Sequence, residues 1–314
     1  MKSILFKSLT KIRQILKKIG VSKKIPGVLQ VHNFLYRIFW PYKNIIEIQG
    51  SKMKINPNDE SFSMRETFEG YATNLIHEKT TTNLFKKIVK KGNVVVDLGA
   101  NIGYFTLLAA KLVGPSGKVY AFEPEPKNFN YLKDNIKINN YNHVFLNQKA
   151  VSDKQGITKL FICSYDTGHH TINQNKGIEV YSSGREIQEK SIEIETIILD
   201  DFLRDKTNKV DILKIDVEGA ELLAVKGMKG ILEKNRNIKI LLEFFPLLIK
   251  EMGSSPKELM RILVREHGFN VFVVGQDYAM NVNPSRELLK VNSFKEITGF
   301  LKEESDHVNL FLTR

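Results

Sequence analysis

The chain has 314 residues, of which 42% are hydrophobic and 26% are charged. These proportions are ordinary for a folded globular protein, and the length suits one large domain with an appendage or two small domains. The one cysteine, Cys163, excludes an internal disulfide and favours a reducing compartment. No apolar run approaches the ~20 residues that span a bilayer. We therefore expect a cytoplasmic protein in which Cys163 is packed inertly.

The net charge of +12 is concentrated at the N-terminus. Residues 1–46 contain ten of the 47 basic residues and no acid, so the other 37 basic residues face 35 acidic ones. A nucleic-acid-binding domain usually carries its basic surface within the fold. The charge distribution therefore argues against a nucleic-acid partner.

The first nineteen residues have the pattern of a basic amphipathic helix. At 100° per residue the apolar side chains share one arc and most of the basic ones occupy the other. Two interpretations stay open: residues 1–24 lie on an anionic membrane surface, or the helix packs on its own domain or on a partner. A second apolar helix is predicted over residues 27–40, so residues 1–45 form a helical extension.

Residues 46–92 are predicted to form a hairpin and a helical cap. Short alternating strands, residues 45–49 and 52–55, flank a Gly50-Ser51 turn. Residues 66–91 are predicted to be helical and to cover the entrance to a site. His77 and Glu78 within them are expected to be solvated.

A strand, a glycine turn and a helix follow at Val94 and mark the start of the main domain, residues 93–314. The run Val-Val-Val-Asp-Leu is typical of a buried parallel strand, and the turn Gly99-Ala100-Asn101-Ile102-Gly103 follows it. Glycines allow the backbone to approach a ligand closely at the positive end of the next helix. Ala100 and Asn101 stand where a dinucleotide fingerprint has its middle glycine, which disfavours NAD and FAD. Asp97, at the end of the strand, favours a cationic ligand.

Two further strand ends supply candidate nucleoside contacts. A second strand, residues 118–122, ends at Glu123, whose carboxylate suits ribose hydroxyl groups. A third strand is predicted over residues 143–150. Asp153, just beyond it, is placed to accept from the amine of an adenine, although a turn acid explains it almost as well.

Together these motifs resemble the FkbM family of S-adenosylmethionine-dependent methyltransferases. The resemblance covers about residues 93–245 and rests on four motifs in order: Val96-Asp97-Leu98-Gly99-Ala100-Asn101-Ile102-Gly103, Ala121-Phe122-Glu123-Pro124, Ala150-Val151-Ser152-Asp153 and Leu213-Lys214-Ile215-Asp216-Val217-Glu218-Gly219-Ala220-Glu221. It implies S-adenosylmethionine as cofactor, held by residues of the first three motifs and by Asp216.

The resemblance also implies an α/β fold, a Rossmann-like class I methyltransferase with a seven-stranded, mostly parallel sheet whose last strand is antiparallel. Residues 238–244 suit the fifth strand, residues 256–267 the following helix, and residues 270–274 and 308–312 the closing strands. Residues 157–163 and 191–198 alternate in polarity and are predicted to form an inserted antiparallel pair.

Methyl transfer to an oxygen requires alignment and a proton acceptor. Asp216 is the preferred base or substrate orienter, because it ends the fourth strand beside the topological switch point. Glu218 and then Glu243 follow in preference, and His169 in the polar loop is a further candidate. Glu221 is expected to stabilise a helix N-terminus. No metal site is predicted, because the chain lacks a metal-ligand motif.

The resemblance implies O-methylation of a hydroxyl in a sugar, a glycan or a related small molecule. Two other classes stay open. One is a different Rossmann enzyme, either a nicotinamide oxidoreductase or an aminopropyl transferase. The other is a non-catalytic, membrane-associated scaffold on the same fold.

Overall fold

The computed structural model describes residues 44–56, 59, 62–72, 75–163, 170–172, 190–275, 277–278, 287–303 and 305–314, and four isolated N-terminal residues. The chain divides into two compact units, Met1–His77 and Glu78–Arg314. Most of the predicted amphipathic helix and most of the predicted helix over residues 27–40 lie outside the described residues. The four isolated residues, Leu5, Ser8, Ile12 and Ile38, are helical and exposed.

The first unit contains a hairpin and one helix. Strands β1 (Ile45–Ile48) and β2 (Ser51–Lys54) pair antiparallel, and helix α1 spans Phe62–Ala72. The turn residues are Gln49 and Gly50, with φ angles of 50° and 78°. Positive φ at both positions matches the twist of a two-residue hairpin. The predicted Gly50-Ser51 turn is therefore wrong by one residue.

Eight strands form the central sheet of the second unit. Their ranges are β3 (Val94–Leu98), β4 (Lys118–Phe122), β5 (Val144–Asn147), β9 (Ile212–Ile215), β10 (Lys239–Phe244), β11 (Asn270–Val274), β12 (Leu288–Val291) and β13 (Val308–Thr313). Their spatial order is β5, β4, β3, β9, β10, β13, β11, β12. The first five run parallel, and β13 is antiparallel to both of its neighbours.

Helices connect these strands and cover the sheet. They are α2 (Lys79–Ile88), α3 (Tyr104–Val113), α4 (Pro126–Ile138), α5 (Leu199–Leu203), α6 (Glu221–Lys226), α7 (Lys229–Lys234), α8 (Pro246–Glu251), α9 (Pro256–Arg261) and α10 (Phe294–Thr298). Every residue of β3 and β9 is buried, as expected for central parallel strands covered on both faces. None of the helices in the described residues has the length and apolar character that crossing a membrane requires.

The strand order reverses at β3, which lies between β4 on one side and β9 on the other. The chain makes its first crossover from β3 to β4 and returns to β9 only after β5. Ligands of open α/β sheets bind at the carboxyl ends of the strands beside such a switch point. The topology therefore brings the ends of β3, β4, β9 and β10 to one edge.

The class I methyltransferase architecture predicted from the sequence is confirmed, and the sheet carries one strand more than predicted. The eighth strand, β12, pairs antiparallel with β11 at the sheet edge. The predicted inserted pair is also present, as β7 (Gly156–Ile162) and β8 (Lys190–Ile197). Beside β8 lies the short strand β6 (Ala150–Val151), so the third predicted strand is in fact two strands in separate sheets.

Two predicted helices differ from the structure. The helix predicted over residues 66–91 is wrong, because α1 ends at Ala72 and α2 begins at Lys79 in the second unit. The helix predicted over residues 256–267 becomes π-helical over Ile262–Glu266. The apolar periodicity did not reveal either break, because the segments on both sides of each break keep the spacing of a helix.

Candidate active site

The turn after β3 packs against the end of β9 so closely that residue 99 has to be glycine. A Cβ atom on Gly99 would lie 1.7 Å from the backbone oxygen of Asp216, and its φ of 78° also favours glycine. The backbone N–H groups of Gly99 and Ala100 both donate to the carbonyl of Phe122, at 3.0 Å. The turn is thus fixed between β9 and β4.

Gly103, at the other end of the turn, caps helix α3. Its φ is 99°, and a Cβ atom there would lie 2.7 Å from Cδ1 of Leu132. A side chain in this place would push the turn away from α4. The two glycines therefore allow the turn to pack closely against β9 and α4, and the close approach of a ligand to the turn stays a prediction.

Glu123 is buried directly beside this turn. Its Oε2 atom accepts from the backbone N–H of Asn101 at 2.8 Å, and Oε1 accepts from the N–H of Glu125 at 3.0 Å. Burial raises the pKa of Glu123 to about 8, although the two N–H donors act in the opposite direction. Each carboxylate oxygen has a second lone pair, so the group can still accept from two hydroxyl groups.

Asp97 is buried in β3, and only one of its oxygens is satisfied. Oδ2 accepts from the hydroxyl of Thr106 at 2.6 Å, whereas Oδ1 has no hydrogen-bond partner among the described residues. Burial raises the pKa of Asp97, and the neighbouring Lys214 counteracts this. A buried acceptor without a donor is costly unless a ligand supplies the donor.

Lys214 is a buried cation that the sequence analysis did not assign to the site. It lies opposite Asp97 in the pairing of β3 with β9, and its Nζ donates to Oδ2 of Asp216 at 2.7 Å. The Nζ atom also lies 4.9 Å from the ring centre of Phe105. Burial disfavours the charged form, but Asp216 and Asp97 raise the pKa of Lys214 overall, so it stays charged. The sequence signal that could have identified Lys214 is a lysine within an otherwise apolar strand.

Asp216, Glu218 and Glu243 converge at the ends of β9 and β10. One carboxylate oxygen from each lies within 4.8 Å of the other two. Burial, followed by the charges of Asp216 and Glu218, raises the pKa of Glu243 well above its usual range. A hydrogen bond with Asp216 also favours protonated Glu243. Three carboxylates at this spacing also match the oxygen ligands that a divalent cation uses. No sequence motif indicated this arrangement.

Two aromatic residues and a histidine border Glu243. The Nε2 atom of His307 lies 3.4 Å from Oε1 of Glu243. The ring of His307 lies between those of Tyr278, at 4.0 Å, and Phe245, at 5.3 Å between centres. Their positions depend on the pairing of β10 with β13, which the spacing along the chain did not reveal.

Glu78 is tied into the same region, so the expectation that it is solvated is wrong. Its Oε2 accepts from Nδ2 of Asn309 at 2.8 Å, and its Oε1 accepts from the hydroxyl of Tyr278 at 3.4 Å. Asn309 also donates to Oγ1 of Thr81 and lies opposite Glu243 in the sheet. The start of α2 is thereby attached to β13.

Ser152 and Asp153 lie at the end of the short strand β6. Ser152 is buried and donates from Oγ to Oδ1 of Asp153 at 3.2 Å, whereas Asp153 is exposed. The hydrogen bonds found in the described part of the chain do not link either residue to Glu123. Their predicted contact with the cofactor stays a prediction.

Two further residues singled out in the sequence are Glu221 and His169. Glu221 accepts from the N–H of Gly219 at 3.0 Å just before helix α6, and burial raises its pKa to about 7. Because burial disfavours its charged form, the expected stabilisation of the helix dipole stays a prediction. His169 lies outside the described residues. Its neighbour His170 accepts at Nδ1 from the N–H of Cys163, which is buried as expected.

These residues fit a nucleoside that carries a cationic group. Glu123 offers acceptors for two hydroxyl groups, and Asp97 Oδ1 is a buried acceptor in need of a donor. The surplus of carboxylates over the one cation Lys214 in this cluster favours a positively charged ligand.

Comparisons with known proteins point to one family. The family model described as the Methyltransferase FkbM domain matches residues 97–271, more than half of the chain. Methyltransferase 1 from Beauveria bassiana is 29% identical over 144 residues, which cover 43% of this chain and 57% of that protein. The chain thus spans less than three fifths of the length of this fungal relative.

Two further similarities carry the FkbM name. The 31-O-demethyl-FK506 methyltransferase FkbM from Streptomyces tacrolimicus is 29% identical over 209 residues, covering 60% of this chain and 76% of that protein. The crystal structure of Methyltransferase FkbM from Methylobacillus flagellatus aligns with a TM-score of 0.37 and 12% identity, over 81% of this chain and 55% of that one.

Replacing Lys214 tests the charge balance of the cluster. We expect Lys214→Met to lower the free energy of unfolding by about 3–5 kcal/mol, because it leaves buried carboxylates without their cation. The loss shrinks in acid, where these carboxylates take up protons.

Lys209→Met is the matched control: its ion pair with Asp211 has the same 2.7 Å distance, but the lysine side chain is 65% exposed rather than 7%. It should cost about 0–1 kcal/mol. Urea denaturation at several pH values measures both, and equal losses would contradict the prediction.

Proposed function

The chain belongs to the FkbM methyltransferase family, and on this basis we propose that it transfers a methyl group from S-adenosylmethionine to a hydroxyl of a sugar, a glycan or a related small molecule. The observation that carries the proposal is the buried Glu123, held by Asn101 beside a glycine turn at the switch point of the sheet. A relative named for methylation at an oxygen supports the hydroxyl acceptor.

The residues of β3, the turn and β4 would hold the cofactor. Glu123 accepts from the ribose hydroxyl groups, and Oδ1 of Asp97 accepts from the amino group. Gly99 and Gly103 let the turn lie close to β9 and α4, which would fix the position of its backbone beside the cofactor. Asp153 would accept from the amine of the adenine. When bound, S-adenosylmethionine supplies a methyl group already activated on a sulfonium, so the main task of these residues is alignment.

The carboxylate cluster would take the proton of the acceptor hydroxyl. Lys214 donates to Oδ2 of Asp216 and fixes the position of this carboxyl group, which can accept a hydrogen bond from the hydroxyl and orient it. Burial raises the pKa of Glu243 well above its usual range, and a raised pKa makes its carboxylate a stronger proton acceptor. We therefore assign orientation to Asp216 and proton acceptance to Glu243, with His307 beside its Oε1 atom as the exit toward solvent. Glu218 supports the same cluster.

The acceptor would lie against the rings of Tyr278, His307 and Phe245. Aromatic faces beside carboxylates combine an apolar surface with hydrogen-bond acceptors, as a hydroxylated ring requires. The basic pattern of residues 1–24 adds a proposal about location: peripheral contact with an anionic membrane from the cytoplasmic side, where lipid-carried glycan intermediates are found.

Cofactor binding should depend on Glu123 and on pH. Below about pH 8 the buried carboxyl of the free protein is protonated, whereas hydroxyl donors favour its ionised form. Binding of S-adenosylhomocysteine should therefore release a proton, with affinity rising by at most about tenfold per pH unit toward pH 8 and levelling off above it. Glu123→Gln should weaken binding ~10–100-fold and abolish this slope.

Calorimetric titration in buffers of different ionisation enthalpy measures the affinity and the released proton together. Glu221→Gln is the matched control, because Glu221 is also a buried acid with a raised pKa that accepts from a backbone N–H. It should keep the affinity and the pH slope. Binding of NAD in place of the sulfur ligands would contradict the family function, and a pH slope that survives Glu123→Gln would remove Glu123 from the ribose site.

The assignment of the base predicts a separation between binding and turnover. Glu243→Gln should lower the rate of S-adenosylhomocysteine formation by about 10²–10⁴-fold while the cofactor affinity is kept. A panel of mono- and oligosaccharides, compared with non-sugar alcohols and phenols, serves as the acceptor set. Glu233→Gln, an exposed partner of Lys229, is the control and should retain full activity. Turnover of phenols alone would exclude the sugar acceptor, and an active Glu243→Gln enzyme would exclude Glu243 as the base.

Removal of residues 1–24 tests the membrane proposal. The full chain should sediment with phosphatidylglycerol vesicles and not with phosphatidylcholine vesicles, and the truncated chain should sediment with neither. High salt should weaken the interaction, because the attraction of lysines to anionic headgroups is screened. If the truncated protein sediments as the full chain does, this segment is not the membrane anchor.

A further inference from the structure

A cavity of about 500 Å³ lies between helices α9 and α10 and strands β11 and β12. Its lining includes Asn270 and Val271, the first residues of β11. Because β11 runs parallel to β10, these residues lie at the edge of the sheet opposite the carboxyl ends that form the candidate active site. The cavity is therefore a separate site.

The floor of the cavity is apolar. Met260, Phe269, Val291 and Ile297 line it and are themselves buried in the protein core. Val264 stands at the rim with 38% of its surface exposed. Ligand pockets have typical volumes of about 300–1,000 Å³ and mostly apolar walls, and this cavity lies within that range.

The charged residues in the lining are all basic. They are Lys257, Arg261, Arg265 and Lys290. Arg261 is paired with Glu266 at 2.6 Å, and Lys257 lies over the ring of Phe294. The side chains of Arg265 and Lys290 have no ion-pair or hydrogen-bond partner within the described parts of the chain.

The wall that carries Val264 and Arg265 has an unusual backbone. Ile262–Glu266 is π-helical, and the N–H of His267 donates to the carbonyl of Ile262 at 3.1 Å. Such segments are rare and occur frequently at functional sites, because the wider turn costs stability. Here it places an apolar side chain and an unpaired cation side by side at the mouth of the cavity.

We propose that this cavity binds a free, single-chain amphiphilic anion, with the apolar chain on the buried floor and a carboxylate or phosphate head at Arg265 and Lys290. The four basic side chains match an anionic head, and the concave floor matches one apolar chain. A concave site of this size suits a single molecule better than the plane of a membrane. The site does not depend on the proposed methyl transfer.

The test is a calorimetric titration of the full chain with dodecyl phosphate below its micellar concentration. Saturable binding of one molecule is expected. Butyl phosphate has the same head without the chain, and dodecyltrimethylammonium has the same chain with the opposite charge; neither should bind comparably. Arg265→Glu/Lys290→Glu should weaken dodecyl phosphate binding at least ~tenfold, and so should Val264→Asp. The control Lys133→Glu/Lys234→Glu has the same change in net charge at two exposed positions elsewhere and should bind normally.

Circular dichroism and S-adenosylhomocysteine titration of each variant show that the fold and the other site are retained. The proposal is overturned if the full chain shows no saturable binding, or if both double variants bind alike. It is also overturned if dodecyltrimethylammonium binds equally well. Loss of phosphatidylglycerol vesicle binding in Arg265→Glu/Lys290→Glu, without binding of monomeric dodecyl phosphate, would mean that the surface docks on membranes instead.

Discussion

The contact between the turn after β3 and the end of β9 fixes the geometry on which the candidate active site depends. Gly99 leaves no room for a Cβ atom beside the carbonyl of Asp216, and the N–H of Asp216 donates back to the carbonyl of Leu98. The close approach sets the distance between the turn, for which cofactor contacts are proposed, and Asp216, which is proposed to orient the acceptor. A displacement of either backbone would separate the two functions.

Hydrogen bonds between neighbouring strand ends then extend this fixed geometry to both sides. On the β4 side, Glu123 accepts from Asn101 in the turn, so the acid and the turn position one another. On the β10 side, β13 places Asn309 opposite Glu243, and Asn309 holds Glu78 at the start of α2. Sheet pairing thus brings together the turns and strand ends that carry the described residues of the site.

Local patterns predicted much of this architecture, and pairing between distant strands explains most of what they missed. The apolar runs at β3, β4 and β10 were placed within one or two residues, and the end of β9 was placed correctly before Asp216. The hairpin turn was misplaced by one residue, because Gln49 with a positive φ is less recognisable than glycine. Tyr278 and His307 carry no motif, and they reach Glu243 only through the antiparallel return of β13 and the segment that follows β11.

The same distinction applies to individual side chains. Asp97, Glu123 and Asp216 were identified because each ends a parallel strand, and the ends of such strands share an edge. Lys214 was overlooked because it lies in the middle of an apolar strand. Its role as a buried cation depends on the nearby carboxylates of Asp97 and Asp216, and the sequence does not show that these are close to it. Glu218 approaches Glu243 with a left-handed backbone conformation at residue 218, where φ is 50°. The sequence does not predict this conformation.

The charge balance of the cluster links the structure to the proposed chemistry. One oxygen from each of Asp216, Glu218 and Glu243 lies within 4.8 Å of the other two, and burial together with the charges of Asp216 and Glu218 raises the pKa of Glu243, so a proton or a positively charged ligand is favoured beside them. In the proposed function, a bound sulfonium would supply that charge and favour the ionised form of Glu243. Transfer of the methyl group would remove the positive charge, and Glu243 would take up the proton of the acceptor hydroxyl. Cluster and ligand together would then keep the same net charge, and the raised pKa of Glu243 would serve to collect the proton when the cation is lost.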